Sequence, residues 1–308
     1  MNDTYGEGAG GHRFGTVALI GRPNAGKSTL VNYLVGEKVA IVTDKPQTTR
    51  TSIMGVVTKP GFQMAIFDAP GIHKPKDRMG SHMMNAALGV LEWADVIYYL
   101  TDVNSRFGAG EAQILQILES IKAPVFLLLN KIDLMNNDAL PPLIGAWAER
   151  RDFAHIYPIS ALTGENIDGL LDETVTCFPE GPPSYDEDEM TDQPERIIAA
   201  EMIREKAIQA TREEVPYAIA VYIEKMEERR ENLMDIYGVI VVEQPGQKGI
   251  IIGKQGATLK RIGTEARLDI EAILGVRVNL NLWVQVREDW RNKDRQLKDY
   301  GIAGFTKF

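Results

Sequence analysis

The stretch Gly21-Arg22-Pro23-Asn24-Ala25-Gly26-Lys27-Ser28 (GRPNAGKS) decides the fold of this 308-residue chain. It matches the phosphate-loop pattern G-x-x-x-x-G-K-S/T at every fixed position. Residues 16–20 have the apolar pattern of a buried strand, and residues 27–34 that of the helix that follows. In such a unit the glycines let the backbone wrap a polyphosphate, and loop N–H groups face its negative charge. We therefore assign these eight residues and Thr29 to nucleotide binding, with Lys27 on the outer phosphates and Ser28 on Mg²⁺.

Two further segments complete the predicted phosphate end of this site. Residues 44–50 (DKPQTTR) form a polar loop in which a threonine hydroxyl could join the Mg²⁺ shell, and we favour Thr49 over Thr48. Residues 62–67 form a predicted strand that ends in Asp68-Ala69-Pro70-Gly71. An acid at this strand end suits a contact to the Mg²⁺ shell. Gly71 can offer its N–H to a terminal phosphate because it has no Cβ.

The base end of the site is predicted from Asn130-Lys131-Ile132-Asp133, which follows the apolar run 125–129. The Asp133 carboxylate can accept two hydrogen bonds from the N1–H and 2-amino group of guanine, which adenine does not offer. Asn130 would brace the site, and the Lys131 stem would lie over the ring. After the predicted strand 155–159, the backbone of Ser160-Ala161-Leu162 would bind the guanine oxygen.

In this order the motifs predict an α/β P-loop GTPase domain over residues 14–179. The apolar strands indicate a mainly parallel sheet with helices on both faces, and a ligand at the carboxyl ends of the strands.

We expect slow hydrolysis, because Ile72 stands where many small GTPases carry a glutamine that orients the attacking water. Asn24 is similar to the loop asparagine of translation-factor-like GTPases, in which K⁺ replaces an arginine finger. The predicted catalytic set is therefore Asn24, Lys27, Thr49 and Gly71, with K⁺ on Asn24. A role of Asn24 in loop stability alone is the alternative.

The composition is that of a soluble globular protein, with 44% hydrophobic and 25% charged residues. The single cysteine, Cys177, excludes an intrachain disulfide and suits the cytoplasm; we expect it to pack against a helix. The Gly-rich start carries no secretory signal, and no apolar run approaches the ~20 residues of a membrane span.

Charge is distributed unevenly along the chain, whose net charge is −9. Residues 248–308 hold 12 Lys/Arg against 7 Asp/Glu, while residues 1–247 hold 22 against 36. A basic end on an acidic body predicts an anionic partner, nucleic acid first. A merely solvated basic face is the alternative.

The Pro/Gly-rich and acidic stretch 180–194 is a predicted linker.

Residues 195–308 are predicted to form an α+β type II KH domain with a C-terminal helix. The pattern gives a helix from Pro194, strands at 216–224 and 234–243, helices at 248–252 and 257–274, and a strand at 276–286. Gly253-Lys254-Gln255-Gly256 lies between the two later helices. A G-x-x-G turn there can approach a sugar–phosphate backbone and clamp about four nucleotides along an apolar groove. Lys248, Lys260 and Arg261 would add phosphate contacts. A helix-capping turn is the alternative.

The chain resembles the Era family, the KH-domain GTPases of small-ribosomal-subunit assembly, over about residues 14 to 300. The resemblance rests on GRPNAGKS, KPQTTR, DAPGIHKP, NKID, SAL and GIIIGKQGATLKRIGTEAR. It implies GTP/GDP and Mg²⁺ binding, and a KH domain on the 3′ end of 16S rRNA in a maturing 30S subunit. It also implies a cytoplasmic monomer with, in some members, peripheral inner-membrane contact, for which the sequence shows no anchor. Ala69 departs from the threonine of many relatives, and the acidic tract 186–189 has no assigned role.

Three other classes of protein share parts of this sequence pattern. A tRNA-modification GTPase shares the phosphate loop but typically needs a C-terminal cysteine, and this chain ends in KF. A tandem-G-domain ribosome GTPase needs a second phosphate loop, which the sequence lacks. An RNA-binding protein with an inert nucleotide stays open at this point, and measured turnover separates it from a GTPase.

Overall fold

A computed structural model of the chain describes residues 11–303. Within this range, the first domain is built on a six-stranded sheet. Its strands are β1 (Arg13–Gly21), β2 (Ile53–Lys59), β3 (Phe62–Asp68), β4 (Val96–Asp102), β5 (Val125–Asn130) and β6 (His155–Ile159). Its helices are α1 (Lys27–Val35), α2 (Arg78–Gly89), α3 (Ala109–Leu118), α4 (Leu140–Ala148) and α5 (Ile167–Thr176).

The strand order is β2-β3-β1-β4-β5-β6, and β2 alone among these strands runs antiparallel to its neighbour. Successive side chains of β1 face opposite apolar layers: Ala18 and Ile20 lie in one, Val17 and Leu19 in the other. Such double burial explains the uninterrupted apolar run in its sequence. The parallel strands place the residues after β1, β3, β5 and β6 at one edge of the sheet, and the predicted fold class is confirmed.

The second domain is built on a three-stranded sheet. Its elements are α6 (Glu195–Gln209), α7 (Val215–Ala218), β7 (Ala220–Arg230), β8 (Leu233–Val242), α8 (Pro245–Ile252), α9 (Ala257–Leu274), β9 (Arg277–Val286) and α10 (Asp294–Asp299). The sheet has the order β7-β8-β9, with the three longer helices α6, α8 and α9 on one face and the short helix α10 on the other. β8 pairs antiparallel with β7 and parallel with β9.

Some predicted elements differ from the observed ones. Residues 216–218 were expected in a strand but belong to the helical turn α7, where Pro216 suits a first-turn position. Helix α8 begins at Pro245 rather than residue 248. Cys177 is exposed at the end of α5 rather than packed. The sequence interpretation had no helix α2, whose buried Met79 and Met83 pack against the second domain.

The two domains share apolar contacts. Met79 and Met83 lie in a cluster with Val239 of β8 and the fully buried Trp290. Ile41 of the first domain belongs to the core of the second. Within residues 11–303, no helix combines the length and apolar character that crossing a membrane requires.

The predicted linker lies along the first domain. The buried Gln63 accepts hydrogen bonds from the backbone N–H groups of Ser184 and Tyr185, at 2.8 and 2.9 Å. Val56 N–H of the edge strand β2 donates to Met190 O at 2.9 Å, and Thr191 Oγ1 donates to Met54 O at 2.6 Å. The segment thus borders the open edge of the sheet.

Candidate nucleotide site and RNA groove

The phosphate loop turns from β1 into α1 at two tight glycine positions, Gly21 and Gly26. Gly21 has φ 157°, and a Cβ there would lie 2.3 Å from Leu100 O. Gly26 has φ 100°, and a Cβ there would lie 2.2 Å from Asn130 Nδ2. Lys27 is buried, and its Nζ donates to Arg22 O at 3.2 Å across the loop. The loop borders a cavity of about 300 Å³ that the 41–50 loop closes from the other side. The predicted phosphate residues are therefore assembled around one space.

The predicted magnesium ligands meet beside this cavity, which Ser28 and Thr49 line and behind which Asp68 is buried. Ser28 Oγ donates to Asp68 Oδ2 at 2.5 Å, and Thr49 Oγ1 lies 3.1 Å from both of these oxygens. Thr48 Oγ1 instead contacts Thr43 Oγ1 at 2.6 Å. Asp68 Oδ1 is buried with no hydrogen-bond partner among the described residues. Two hydroxyls and a free carboxylate oxygen fit a Mg²⁺ ion and its bound water, and they favour Thr49 over Thr48.

Burial controls the ionisation of this site. It raises the pKa of the Asp68 carboxyl, against the opposing effects of Lys27 and of the bonds from Ser28 and Thr49. It lowers the pKa of the Lys27 ammonium, against the opposing charge of Asp68. Each group needs a counter-charge in this desolvated position. Phosphate oxygens would supply one to Lys27, and Mg²⁺ one to Asp68.

Gly71 and Asn24 line the same cavity. A Cβ on Gly71 would come within 2.9 Å of Pro23, so only glycine fits this close approach to the phosphate loop. Ile72 is buried and bonds Gly21 O through its N–H at 3.2 Å. Asn24, at φ 66°, donates from Nδ2 to Asp44 O at 2.8 Å. The Asn24 amide therefore ties the phosphate loop to the 41–50 loop.

At the base end, Asn130 joins two loops. Its Nδ2 donates to Ala25 O at 2.8 Å, and its Oδ1 accepts from Ala161 N–H at 2.9 Å. Ser160 Oγ donates to Asp133 Oδ1 at 2.6 Å, which orients the exposed carboxylate. These two contacts link the phosphate loop to the 160–162 loop.

Lys131 and Leu162 occupy the rim of the base end. The Lys131 Nζ forms an ion pair with Asp102 at 2.7 Å, which holds the lysine stem across the mouth of the site. The Leu162 side chain is 73% exposed, so its predicted contribution is limited to its backbone.

In the second domain, the G-x-x-G turn has a backbone that few other residues could adopt. Gly253, Gln255 and Gly256 have φ values of 72°, 52° and 79°. A Cβ on Gly253 would lie 2.2 Å from Thr258 Oγ1, whereas Gly256 meets nothing within 4 Å. Lys254 and Gln255 are exposed at the tip. A ligand could therefore approach the backbone of this turn closely. Capping of helix α9 alone would not need such an exposed turn.

Beside the turn lies a groove of about 380 Å³ between α9 and β9. Leu259, Leu280 and Leu282 give it an apolar floor, and Lys260 lies on its rim. Of the other predicted phosphate contacts, Lys248 is half-buried on α8, and Arg261 lies outside the groove lining, 4.0 Å from Glu265.

The sequence interpretation overlooked Arg267, which lines the groove one turn beyond Thr264 while bonding Glu271 at 2.8 Å. Its helical spacing from Lys260 was the available signal.

Comparison with known proteins identifies both domains. Residues 16–131 match the family described as 50S ribosome-binding GTPase, and residues 214–291 match the KH domain family. GTPase Era of Ruminiclostridium cellulolyticum is 47% identical over 290 residues, which is 94% of this chain and 97% of that protein. The chain belongs to the Era family of GTPases. The GTPase activity and the KH domain predicted from the sequence are thereby confirmed.

Two solved Era structures superpose on this Era-family chain with a TM-score of 0.92 at 41% identity, covering 95% of it and 100% of the matched chains. One is Era with MgGDPNP and nucleotides 1506–1542 of 16S ribosomal RNA, and the other is an Aquifex aeolicus Era variant bound to GDP and AlF4⁻. GTP/GDP and Mg²⁺ are thus supported as ligands of the family.

The Era-family chain also has inter-domain contacts to the 41–50 loop that sequence reasoning did not find. Arg204 of α6 donates to Thr48 O. Glu205, the next residue, accepts from Val42 N–H at 2.9 Å and pairs with Lys38. From the loop side, Arg50 donates to Ile219 O at 2.5 Å. Sequence gave no signal for these contacts, because each depends on which surface of one domain faces the other.

Proposed function

We propose that this GTPase is a ribosome assembly factor whose KH domain binds the 3′ end of 16S rRNA in the maturing 30S subunit, with binding set by the nucleotide state. The observation that carries the proposal is the open G-x-x-G turn beside an apolar groove. A 41%-identical relative was crystallised with that RNA segment. Bases would lie against Leu259, Leu280 and Leu282, and the backbone would pass Gly253–Gly256.

In hydrolysis, Lys27 would hold the outer phosphates, and Ser28 and Thr49 would hold Mg²⁺, which neutralises charge that develops on the phosphate oxygens. Gly71 would donate its N–H to the terminal phosphate. Because Ile72 is apolar and buried, it cannot orient water. Turnover without a further activator is therefore slow.

Coupling to RNA would pass through α6. Arg204 and Glu205 hold the 41–50 loop at Thr48 and Val42, and Thr49 lies in the same loop. A nucleotide that orders Thr49 therefore stabilises the docked KH domain, and by reciprocity the docked domain favours that nucleotide.

The test is binding of the full chain to an RNA that carries the 16S 3′ end, with a GTP analogue or GDP. We expect tight binding favoured by the GTP analogue, and its loss in Gly253→Asp/Gly256→Asp. Gly89→Asp/Gly169→Asp is the matched control, because both glycines lie in helices with nothing within 4 Å of an added Cβ. Lys254→Ala/Lys260→Ala tests the same turn without strained positions. Equal binding by all four proteins would overturn the KH turn as the RNA site.

Stimulation by K⁺ is part of the proposal. Asn24 lines the nucleotide cavity, and its amide oxygen is a ligand of the kind that K⁺ accepts. We expect faster GTP hydrolysis in KCl than in NaCl, and a loss of this difference in Asn24→Ala. Equal rates in the two salts would leave Asn24 with loop stabilisation alone.

The monomeric state, the cytoplasmic location and peripheral membrane contact stay predictions.

A further inference from the structure

A cavity of about 200 Å³ lies between the two domains. Among the described residues, it shares no lining residue with the nucleotide cavity or the RNA groove. Arg50 and Thr51 line it from the first domain, and α6, β7 and α10 from the second. It is large enough for a phosphate group with a ribose, but smaller than the ~300–1,000 Å³ pockets that enclose drug-sized ligands.

Two buried arginines from opposite domains line this cavity. Arg50 is 4% exposed and Arg204 is 2% exposed. Arg50 donates only to carbonyl oxygens among the described residues, those of Ile219 at 2.5 Å and Tyr217 at 3.2 Å. Arg50 Nε and Arg204 Nη1 have no hydrogen-bond partner among the described residues.

Positive charge exceeds negative charge around the cavity. Besides the two buried arginines, the exposed Arg196 and Lys298 line it, against the carboxylates of Glu201 and Asp299. Glu201 is already bonded to Arg204 through both oxygens, at 2.7 and 2.5 Å. Burial, followed by the neighbouring charge of Arg204, lowers the pKa of Arg50 to about 9. An anion here would offset an otherwise poorly compensated buried charge.

We propose that this cavity binds a small phosphate-bearing metabolite, with its phosphate on Arg50, Arg204, Arg196 and Lys298. Planar, hydrogen-bonding guanidinium groups suit phosphate oxygens. Tyr222 and Tyr300 line the same cavity and stack on each other, with ring centroids 5.5 Å apart and planes 11° apart. These two aromatic side chains could contact the base of a nucleotide. The shared chemistry is a phosphate group, carried by inorganic phosphate or by a nucleoside monophosphate.

The site touches the nucleotide switch directly. Arg50 follows Thr49 in the chain, and Arg204 donates to Thr48 O. A ligand on these guanidinium groups should therefore bind with different affinity to the GTP-analogue and GDP forms. This coupling rests on the proposed function, whereas binding itself does not.

The test uses the full chain saturated with Mg²⁺ and GDP, so that the phosphate loop is filled. Inorganic phosphate and AMP are titrated by calorimetry in acetate buffer, which avoids competition by chloride. Arg196→Ala/Lys298→Ala removes the two exposed cations and leaves the buried pair in place. Lys59→Ala/Lys122→Ala is the control, because it removes two exposed lysines of the first domain that lie outside the cavity lining.

We expect one phosphate site, weakened about tenfold or more in Arg196→Ala/Lys298→Ala and unchanged in the control. Tyr222→Ala should weaken AMP and leave phosphate unchanged if the ligand is a nucleotide; equal effects on both would identify inorganic phosphate. Absence of binding by both probes, or equal weakening in the two double variants, would overturn the proposal. Either result would leave the RNA-binding test unaffected.

Discussion

At the scale of single residues, the phosphate end of the site contains two buried ionisable groups, Lys27 and Asp68. Burial lowers the pKa of the lysine and raises the pKa of the aspartate, so in both cases it disfavours the charged form. Such positions are unfavourable without ligand and favourable with it. Nucleotide and metal binding would thus relieve the cost of burying these two charges.

The two adjacent threonines allow a sharp test of the metal site. Thr49→Ala removes a hydroxyl 3.1 Å from Ser28 Oγ and Asp68 Oδ2, so we expect hydrolysis to fall roughly 10- to 100-fold. GDP affinity should not change, because the loop is needed for the terminal phosphate. Single-turnover hydrolysis and analogue-versus-GDP affinities measure this. Thr48→Ala is the control, and an equal loss in that variant would contradict the assignment.

At the scale of helices, strands and loops, the sequence predicted the motifs whose residues lie close together in the chain. The phosphate loop, the strand-end acids and the G-x-x-G turn each need particular residue types at fixed spacing, and the structure places each of them in the element that the sequence predicted. Helix α2 was missed because its apolar residues are divided between two cores: Met79 and Met83 pack against the second domain, while Ala87 packs in the first. Residues 216–218 were misassigned because apolar character alone does not separate a short strand from a helical turn.

Helix α6 has features that the sequence predicts and contacts that it does not. Its apolar spacing predicted a helix from Pro194, and the observed helix Glu195–Gln209 buries Ile198, Met202, Ile203 and Ile208 in the KH core. The buried Arg204 and Glu205 interrupt that apolar pattern without a local reason. Their partners, Thr48 and Val42, lie more than 150 residues away in the chain. No local pattern could have identified them.

Arg204→Lys tests whether α6 supports the 41–50 loop. A lysine keeps the charge but cannot bond Glu201 through two nitrogens while reaching Thr48 O. We expect GTP-analogue affinity to fall roughly tenfold, with GDP affinity unchanged, as measured by nucleotide displacement. Arg196→Lys, on the exposed side of the same helix, is the control. A matching loss of GDP affinity would indicate general damage to the fold instead.

At the scale of the whole molecule, an ionic cluster joins the domains beside the 41–50 loop. Lys38 of the first domain pairs with Glu205 and, at 2.8 Å, with Asp269 of α9; Lys206 lies 2.7 Å from Asp269. Burial alone would raise the pKa of Asp269, but bonds from Lys206 and Lys38 hold it below its usual 3.8. The ionised carboxylate is therefore favoured by folding.

This depressed pKa sets a pH dependence. The Asp269 contribution to stability is present above the unfolded pKa of 3.8 and is lost as pH falls through the lower folded value. Acidification below about pH 4 should therefore lower the free energy of unfolding less in Asp269→Asn than in the parent protein. The two losses should differ by up to about 1 kcal/mol. Urea titrations across this range measure it. Asp188→Asn in the exposed linker is the control, and identical curves for Asp269→Asn and the parent would refute the expectation.

The linker along β2 has a consequence for how the molecule avoids self-association. An edge strand with free N–H and C=O groups invites pairing with another chain. Met190 and Thr191 occupy two of these groups on β2, while the neighbouring tract 186–189 is acidic and repels other copies. A GTPase domain cut at residue 179 would expose this edge and should aggregate more readily. A domain that ends after Thr191 would keep the edge covered.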